Sequence, residues 1–297
     1  MTTKYRTINE NEFKNRLQCA YKIMECCELC PRMCRINRLK DEKGFCGTGL
    51  KSVVSSACPH FGEESVLVGN GGSGTIFFSG CNLGCVFCQN YDISQLHYGK
   101  EIEIDDLVSM MLQLQNRGCI NINLVTPTHV VPHIIESVHY ARTKGLIVPT
   151  VYNCGGYESV ETLKLLEGII DIYMPDTKYM NPTSSKRYTL AENYPDVMKQ
   201  ALLEMHKQVG DLEIRDGHAT RGLLVRHLIM PNRVAESKDI IDFLAHKISK
   251  NTFINIMEQY RSVFKANRFP EINRRITLKE YQEVTLYAKE LGLRLAD

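Results

Sequence analysis

Three cysteines, Cys81, Cys85 and Cys88, stand in the stretch SGCNLGCVFCQNYDIS with the spacing C-x3-C-x2-C. Three thiolates are one short of a closed tetrahedral shell. They suffice for three irons of a cubane [4Fe–4S] cluster. The fourth iron is then open to a substrate or cofactor, as one position is in catalytic zinc sites. Gly80 and Gly84 let the backbone turn tightly around such a body. Phe87, just before the last cysteine, can shield a cluster or cover a planar ligand.

A second set, Cys27, Cys30, Cys34 and Cys46, is spaced x2, x3 and x11, with Cys26 and Cys58 as spare neighbours. Four thiolates complete a zinc shell or all four corners of a second Fe–S cluster. The segment from Cys26 to Gly49 is rich in turn residues and poor in hydrophobic periodicity, so a metal must tie it. A structural zinc explains its folding. A second cluster does so and also relays electrons. Both readings stay open.

The chain has twelve cysteines in 297 residues. Its opening, MTTKYRTINENEFKN, carries no apolar signal segment, and no apolar run reaches the length of a membrane span. The expectation is a cytoplasmic protein with no membrane contact. Thiols stay reduced there, so clustered cysteines read as metal ligands. Thirty-six basic against 34 acidic residues leave a net charge of +2, which predicts no nucleic-acid partner.

Elements must hold these thiols in place. Residues 8–24 form a short helix, and SACPHFGEES and GNGGSG, in and around 50–72, read as loops. Apolar, β-rich runs at 74–78, 119–125, 146–152, 169–174, 222–230 and 252–257 read as six strands. Helical patterns at 104–118, 130–145, 159–168, 237–249 and 277–292 alternate with them; the region from 175 to about 210 is mixed. Such alternation means a parallel sheet with right-handed crossovers. Cys81, Thr126, Asn153, Asp176, Pro231 and Gln259 fall at or just after strand ends, where ligands gather in parallel α/β folds. A partial β/α barrel and an open doubly wound sheet both satisfy this pattern. Arg226 and His227 must face opposite sides of their strand, and Arg226 is taken as the inward residue. Cys154 reads as a small packed residue and Asp171 as structural. Glu258 and Gln259 either read substrate or close the sheet.

The loop after the first of these strands, with its aromatic residue before the last cysteine, strongly resembles the radical S-adenosylmethionine (SAM) superfamily. The resemblance implies an α/β fold: a partial (β/α)6 TIM-like barrel over residues 73–297, after a small cysteine-rich amino-terminal segment, residues 1–72, with the four-cysteine metal site. It implies that Cys81, Cys85 and Cys88 are the catalytic cluster ligands and that SAM chelates the open iron. Reductive cleavage of SAM then gives methionine and a 5′-deoxyadenosyl radical, which abstracts hydrogen from a substrate. Where the superfamily usually carries Gly-Gly-Glu, this sequence reads LVTPTHVV. Thr126 and Thr128 offer hydroxyls and carbonyls there. His129 is the nearest ionisable group, or a surface helix cap. Asn153 is placed to meet the ribose or carboxylate. DIYMPDTKY resembles the Asp-x-Lys segment of glycyl-radical-enzyme activases, which puts Asp176 and Lys178 beside SAM.

ELCPRMC, GSGTIFFSGCNLGCVFCQNYDIS, VTPTH and DIYMPDTKY together look like a group of proteins similar to the pyruvate formate-lyase activating enzyme. That likeness runs from about Cys27 onward. It implies a protein or peptide substrate, as for a glycyl-radical-enzyme activase, and an electron donor such as flavodoxin or ferredoxin. The alternatives are a radical SAM enzyme acting on a small molecule and a non-catalytic Fe–S electron carrier or sensor. No motif names the substrate.

Overall fold

The computed structural model describes residues 8–296. The first seven residues, on which the reading of the chain's opening partly rests, and the last one lie outside the described residues.

Helix α1, Glu10–Glu25, starts where the Asn9 side chain accepts the Glu12 N–H at 2.9 Å, and it buries Phe13, Ala20 and Met24. The cysteine-rich segment follows. Then come β1 (Ser52–His60), α2 (Ser65–Val68), β2 (Ser73–Phe78), α3 (Tyr91–Ser94), β3 (Lys100–Ile102) and α4 (Ile104–Asn116). The βα alternation continues with β4 (Ile122–Val125), α5 (Val131–Thr143), β5 (Thr150–Cys154), α6 (Val160–Leu165) and β6 (Ile172–Pro175). Two helices, α7 (Pro182–Thr189) and α8 (Tyr194–Val209), lead to a hairpin of β7 (Glu213–Arg215) and β8 (His218–Leu228). The chain closes with α9 (Ser237–Phe243), β9 (Phe253–Met257), α10 (Leu278–Glu290) and β10 (Arg294–Leu295).

The strands run β10-β9-β8-β6-β5-β4-β2-β1-β3 across one sheet, with β7 on β8. From β2 to β10 the pairings along this path are parallel and keep chain order. A doubly wound sheet would reverse its order at a switch point. An unreversed order sends every crossover the same way, so the helices cover one face and the sheet curls around the other. The path ends at β3 and β10 without closing. The fold is therefore the partial barrel, not the open alternative.

Strand periodicity sorts the two faces. Ile76, Leu124, Tyr152, Tyr173, Val225 and Ile254 point outward into the main core. Val151, Ile172, Met174, Leu224 and Phe253 point inward and pack on Leu67 of α2. The short α2 helix thus plugs the barrel floor.

Two expectations need correction. Residues 56–60, read as the start of a loop, belong to a strand: β1 pairs antiparallel with β2, and β3 covers it only over Ser52–Val54. Pro59 lies beyond β3, where an absent N–H on a free strand edge is tolerated. The mixed region past 175 holds α7 and α8, whose prolines 182 and 195 sit in the first helical turn and start helices instead of breaking them. Among the described residues, no helix is long and apolar enough to cross a membrane.

Candidate active site

The cysteine loop leaves β2 and is clamped on several sides. Gly80 N–H donates to the Ile93 carbonyl (2.9 Å), Gly84 N–H to Thr189 (3.0 Å) and Val86 N–H to Tyr188 (2.9 Å). The Asn82 amide donates to the Tyr157 carbonyl at 2.6 Å. Gly80 has φ +89°, and a Cβ there would lie 2.4 Å from the Cys46 carbonyl oxygen. Only glycine fits, and the two cysteine sets meet at this point. The Leu83 N–H points at Cys81 Sγ (3.3 Å), and Cys88 Sγ lies 3.1 Å from Ser94 Oγ. Phe87 is buried against Tyr260, ring centroids 5.9 Å apart.

Across the barrel mouth, at the carboxyl ends of β5, β6 and β8, stands a charged set. Asp176 accepts from Lys178 Nζ at 2.6 Å and from Arg226 at 3.0 Å. Arg226 also donates to Asn153 Oδ1 at 2.8 Å. Arg226 therefore faces inward. His227 faces outward: its Nδ1–H donates to the Thr177 carbonyl (2.6 Å) and its Nε2 accepts from Ser237 (2.8 Å). The Tyr194 hydroxyl props the set from behind, accepting the Lys178 N–H at 3.0 Å and lying 2.9 Å from the Gly155 and Asp176 carbonyls. Burial alone would push the Asp176 carboxyl up; the Lys178 and Arg226 cations outweigh it and hold it below the usual carboxylate range. Burial likewise pulls Lys178 down, but Asp176 and Cys85 hold it charged.

The Lys178 charge reaches the cysteine loop. Burial pushes the Cys85 thiol up to about 12, and Lys178 opposes that shift; Cys81 follows the same pattern, with burial again dominant. A metal bound here would take these thiols as thiolates and release their protons. Three soft donors in one loop beside a fixed cation fit three corners of an Fe–S cluster. Among the described residues, no three His, Cys, Asp or Glu side chains converge on one metal ion. A cubane does not require that convergence, because each thiolate meets its own iron.

Thr126 and Thr128 part company. Thr126 follows β4 with φ +58°, a strained conformation for a β-branched residue, and its N–H donates to the Asn153 carbonyl (2.9 Å). Thr128 is turned away, its hydroxyl donating to Glu158 Oε1 at 2.7 Å. Glu158, which sequence reasoning missed, also accepts from Tyr152 at 3.0 Å and lies against the buried Cys154. Asp171 is a buried brace, accepting from Arg142 (3.1 Å) and from Thr150 N–H (2.8 Å).

Burial raises the Glu158 carboxyl to about 7, against hydrogen bonds from Thr128 and Tyr152 that lower it. A carboxyl raised above its unfolded value binds more protons in the folded chain, so stability falls as pH rises from about 4.3 to 7. Glu158→Gln should flatten that decline, worth roughly 3 kcal/mol over the window. Urea unfolding at pH 5 and pH 8 measures it; a pH dependence equal to the parent's would refute the assignment.

The amino-terminal cysteines sit behind the loop. Cys27, Cys30 and Cys46 are buried and Cys34 is half-buried. They line a pocket with Arg38 and His129. Burial pushes Cys30 up to about 12. Arg38 is 0% exposed and donates only to backbone, to the carbonyls of Gly49 (3.0 Å) and His129 (2.7 Å). No carboxylate pairs with it among the described residues. His129 is not a surface cap: it is buried, its Nε2–H donates to the Ser79 carbonyl at 2.8 Å, and burial lowers its pKa to about 3. Gln259 and Glu258 are exposed past β9, where the Gln259 carbonyl accepts from Gln89 at 3.1 Å.

Comparison with known proteins agrees with this geometry. The family model "Radical SAM superfamily" matches residues 75–244. An uncharacterized protein of Methanocaldococcus jannaschii is 33% identical over 97% of this chain and 81% of its own length. The pyruvate formate-lyase-activating enzyme of Listeria monocytogenes is 23% identical over 56% of this chain. That match spans 65% of the activating enzyme, less than two thirds of it. In fold, a radical SAM methyltransferase from Sphaerobacter thermophilus superposes with a TM-score of 0.52 at 11% identity, over 75% of this chain and 65% of that one. SuiB of Streptococcus suis, solved with S-adenosylmethionine, gives 0.50 at 12% identity over 73% of this chain and 47% of its own. With more than half of its length matched by the family model, the chain belongs to the radical SAM superfamily, a family of S-adenosylmethionine-dependent enzymes built on a [4Fe–4S] cluster.

Proposed function

We propose that this chain cleaves SAM reductively and uses the resulting radical to take hydrogen from a protein or peptide substrate, in the manner of a glycyl-radical-enzyme activase. The observation that carries the reading is Lys178. It is held by Asp176 at 2.6 Å, propped by Tyr194, and its charge reaches Cys85 and Cys81. When bound, the cluster and SAM supply one-electron cleavage of a carbon–sulfur bond. The protein's part is placement. Cys81, Cys85 and Cys88 would hold the cluster. Lys178 would pair with the SAM carboxylate, and Asp176, Arg226 and Asn153 would fix its direction. Thr126, strained just past β4, would offer its backbone in the place of the missing Gly-Gly-Glu motif; Thr128 would keep that loop in position through Glu158. Phe87 would close the loop's far side against Tyr260. The activase form draws support from the Listeria relative and from a barrel left open beyond β10, where a backbone loop could enter.

The amino-terminal segment, residues 1–72, is proposed as an appendage to the 73–297 barrel, carrying a second metal on Cys27, Cys30, Cys34 and Cys46: an Fe–S cluster, whose irons each take one thiolate, or zinc, for which the four thiols would have to close in on one ion. Arg38 supports this: a buried guanidinium without a carboxylate matches the negative charge of metal-bound thiolates. A reduced cytoplasm and an electron donor such as flavodoxin or ferredoxin complete the reading.

Anaerobic reconstitution with iron, sulfide and zinc counts, followed by reductive SAM cleavage, tests the whole. Lys178→Ala should weaken SAM binding about 10- to 100-fold, the loss of one charge-assisted contact, while cluster iron stays near the parent level. Equilibrium binding under anaerobic conditions reads it. Unchanged SAM affinity would remove Lys178 from the site. A burst of 5′-deoxyadenosine that depends on a metabolite and not on a peptide would replace the protein-substrate reading.

A further inference from the structure

Glu63 and Glu64 precede the α2 plug and reach into the barrel from below. Glu64 is 7% exposed; its Oε1 accepts from Asn255 Nδ2 at 2.9 Å, and its Oε2 is buried with no partner among the described residues. Asn123 is fully buried, and neither end of its amide has a partner there either. Its register with Thr75 and Val151, and the outward course of Ile122 and Leu124, place Asn123 on the inner face. Glu63 has His60 Nδ1 at 3.3 Å and Arg226 Nη1 at 3.8 Å. Arg226 is already engaged at closer range by Asp176 and Asn153. Three buried carboxylates, Asp176, Glu63 and Glu64, therefore face two permanent cations, Lys178 and Arg226, and the His60 ring, while Glu64 Oε2 and the Asn123 amide stand idle.

Buried charges and amides left without partners are costly, and proteins keep them where a ligand supplies the partner. Toward the mouth, Phe77, Val125, Leu228, Asn255 and Met257 on the inner face keep partial access, while Asn123, Val151, Ile172 and Leu224 are fully buried. We propose that Glu63, Glu64 and Asn123 form a recognition site for a cationic group of the substrate, an alkylammonium or guanidinium. An ammonium has three donors and a guanidinium five, with no acceptor. Either would supply donors to Glu64 Oε2, the far side of Glu63 and Asn123 Oδ1. Burial and the neighbouring Glu64 push the Glu63 carboxyl up despite Arg226 and His60, which is how an undercompensated pair behaves. The floor lies beneath Asp176 and Arg226, so a cationic side chain anchored there would hold its backbone toward the cysteine loop. This inference rests on the reading of the barrel mouth as the substrate site.

The test uses the full-length, cluster-reconstituted protein without SAM or reductant. Its unfolding midpoint is followed against n-butylammonium, n-butylguanidinium and the uncharged n-pentanol. A saturable rise with at least one cation and none with the alcohol is expected. Glu64→Gln, which keeps the shape and an acceptor for Asn255, should weaken the apparent affinity about tenfold or more. Glu63→Gln serves as the second variant if the first does not fold. No saturable response to either cation, or an equal response in the glutamine variant, overturns the proposal. SAM cleavage is assayed separately on the same samples. Cation binding without cleavage would sink the proposed reaction and leave the cation site; cleavage without cation binding would do the reverse.

Discussion

Cys85→Ala should reduce reductive SAM cleavage by more than about 100-fold, to the level of the reaction without enzyme. The expectation follows from what the loop's backbone does without the thiol. Gly84 and Val86, on either side of Cys85, donate to Thr189 and Tyr188, and Cys88 N–H donates to the Cys85 carbonyl (3.2 Å). None of these bonds involves the sulfur, so the loop keeps its course when the side chain is cut to a methyl. What goes is one of the three proposed cluster ligands. Cys19→Ala is the control, because Cys19 is exposed on α1 and outside both cysteine sets; it should leave cleavage unchanged. Iron and sulfide counts on both variants show whether the loss follows the cluster. Retained cleavage in Cys85→Ala with a full complement of iron would refute the assignment of this loop.

The sequence carried the local part of this site and hid the rest for a physical reason. Cys81, Cys85 and Cys88 were legible because a single loop sets their spacing. Asp176 and Lys178 were legible as a pair because a single residue separates two side chains that bond at 2.6 Å. The parallel sheet could be read from alternating runs, since each βα unit is written in consecutive residues. Glu63, Glu64, Arg38 and Glu158 could not be found this way. Their roles come from contacts across 91 residues for Arg38 with the His129 carbonyl and 191 for Glu64 with Asn255. In sequence, Glu63 and Glu64 lie in a polar, glycine-flanked stretch that looks like any solvated loop. The fold draws that stretch under the barrel because Leu67 packs on Val151, Ile172 and Leu224. The burial of His129 was hidden for a related reason. A helix-start histidine is ordinarily solvated, but here the cysteine-rich segment covers it.

That covering segment has a structural cost that a metal would offset, and this gives the second large expectation. Cys27→Ala/Cys30→Ala should lose the metal proposed for the amino-terminal site and destabilise the protein by about 3–5 kcal/mol, the usual penalty for a buried charge left without its partner. At this chain length that is a fall of roughly 10 °C in Tm. The charge in question is Arg38, whose donors meet only the carbonyls of Gly49 and His129. With thiolates present it has a counter-ion; the Arg38 charge already acts on Cys46 against the effect of burial. Without them it is an isolated buried cation beside His129 and His133, both of which it helps keep neutral. Arg38→Met separates this cause from a general loss of packing. Alone, it should destabilise, because metal-bound thiolates lose their counter-ion. In the Cys27→Ala/Cys30→Ala background it should recover part of the lost stability, because the orphaned charge is gone. The two effects then fail to add, and a double-mutant cycle on anaerobic thermal unfolding measures the coupling. Strict additivity would mean that Arg38 and the four thiols do not share a charge, and the metal assignment of that segment would fall with it.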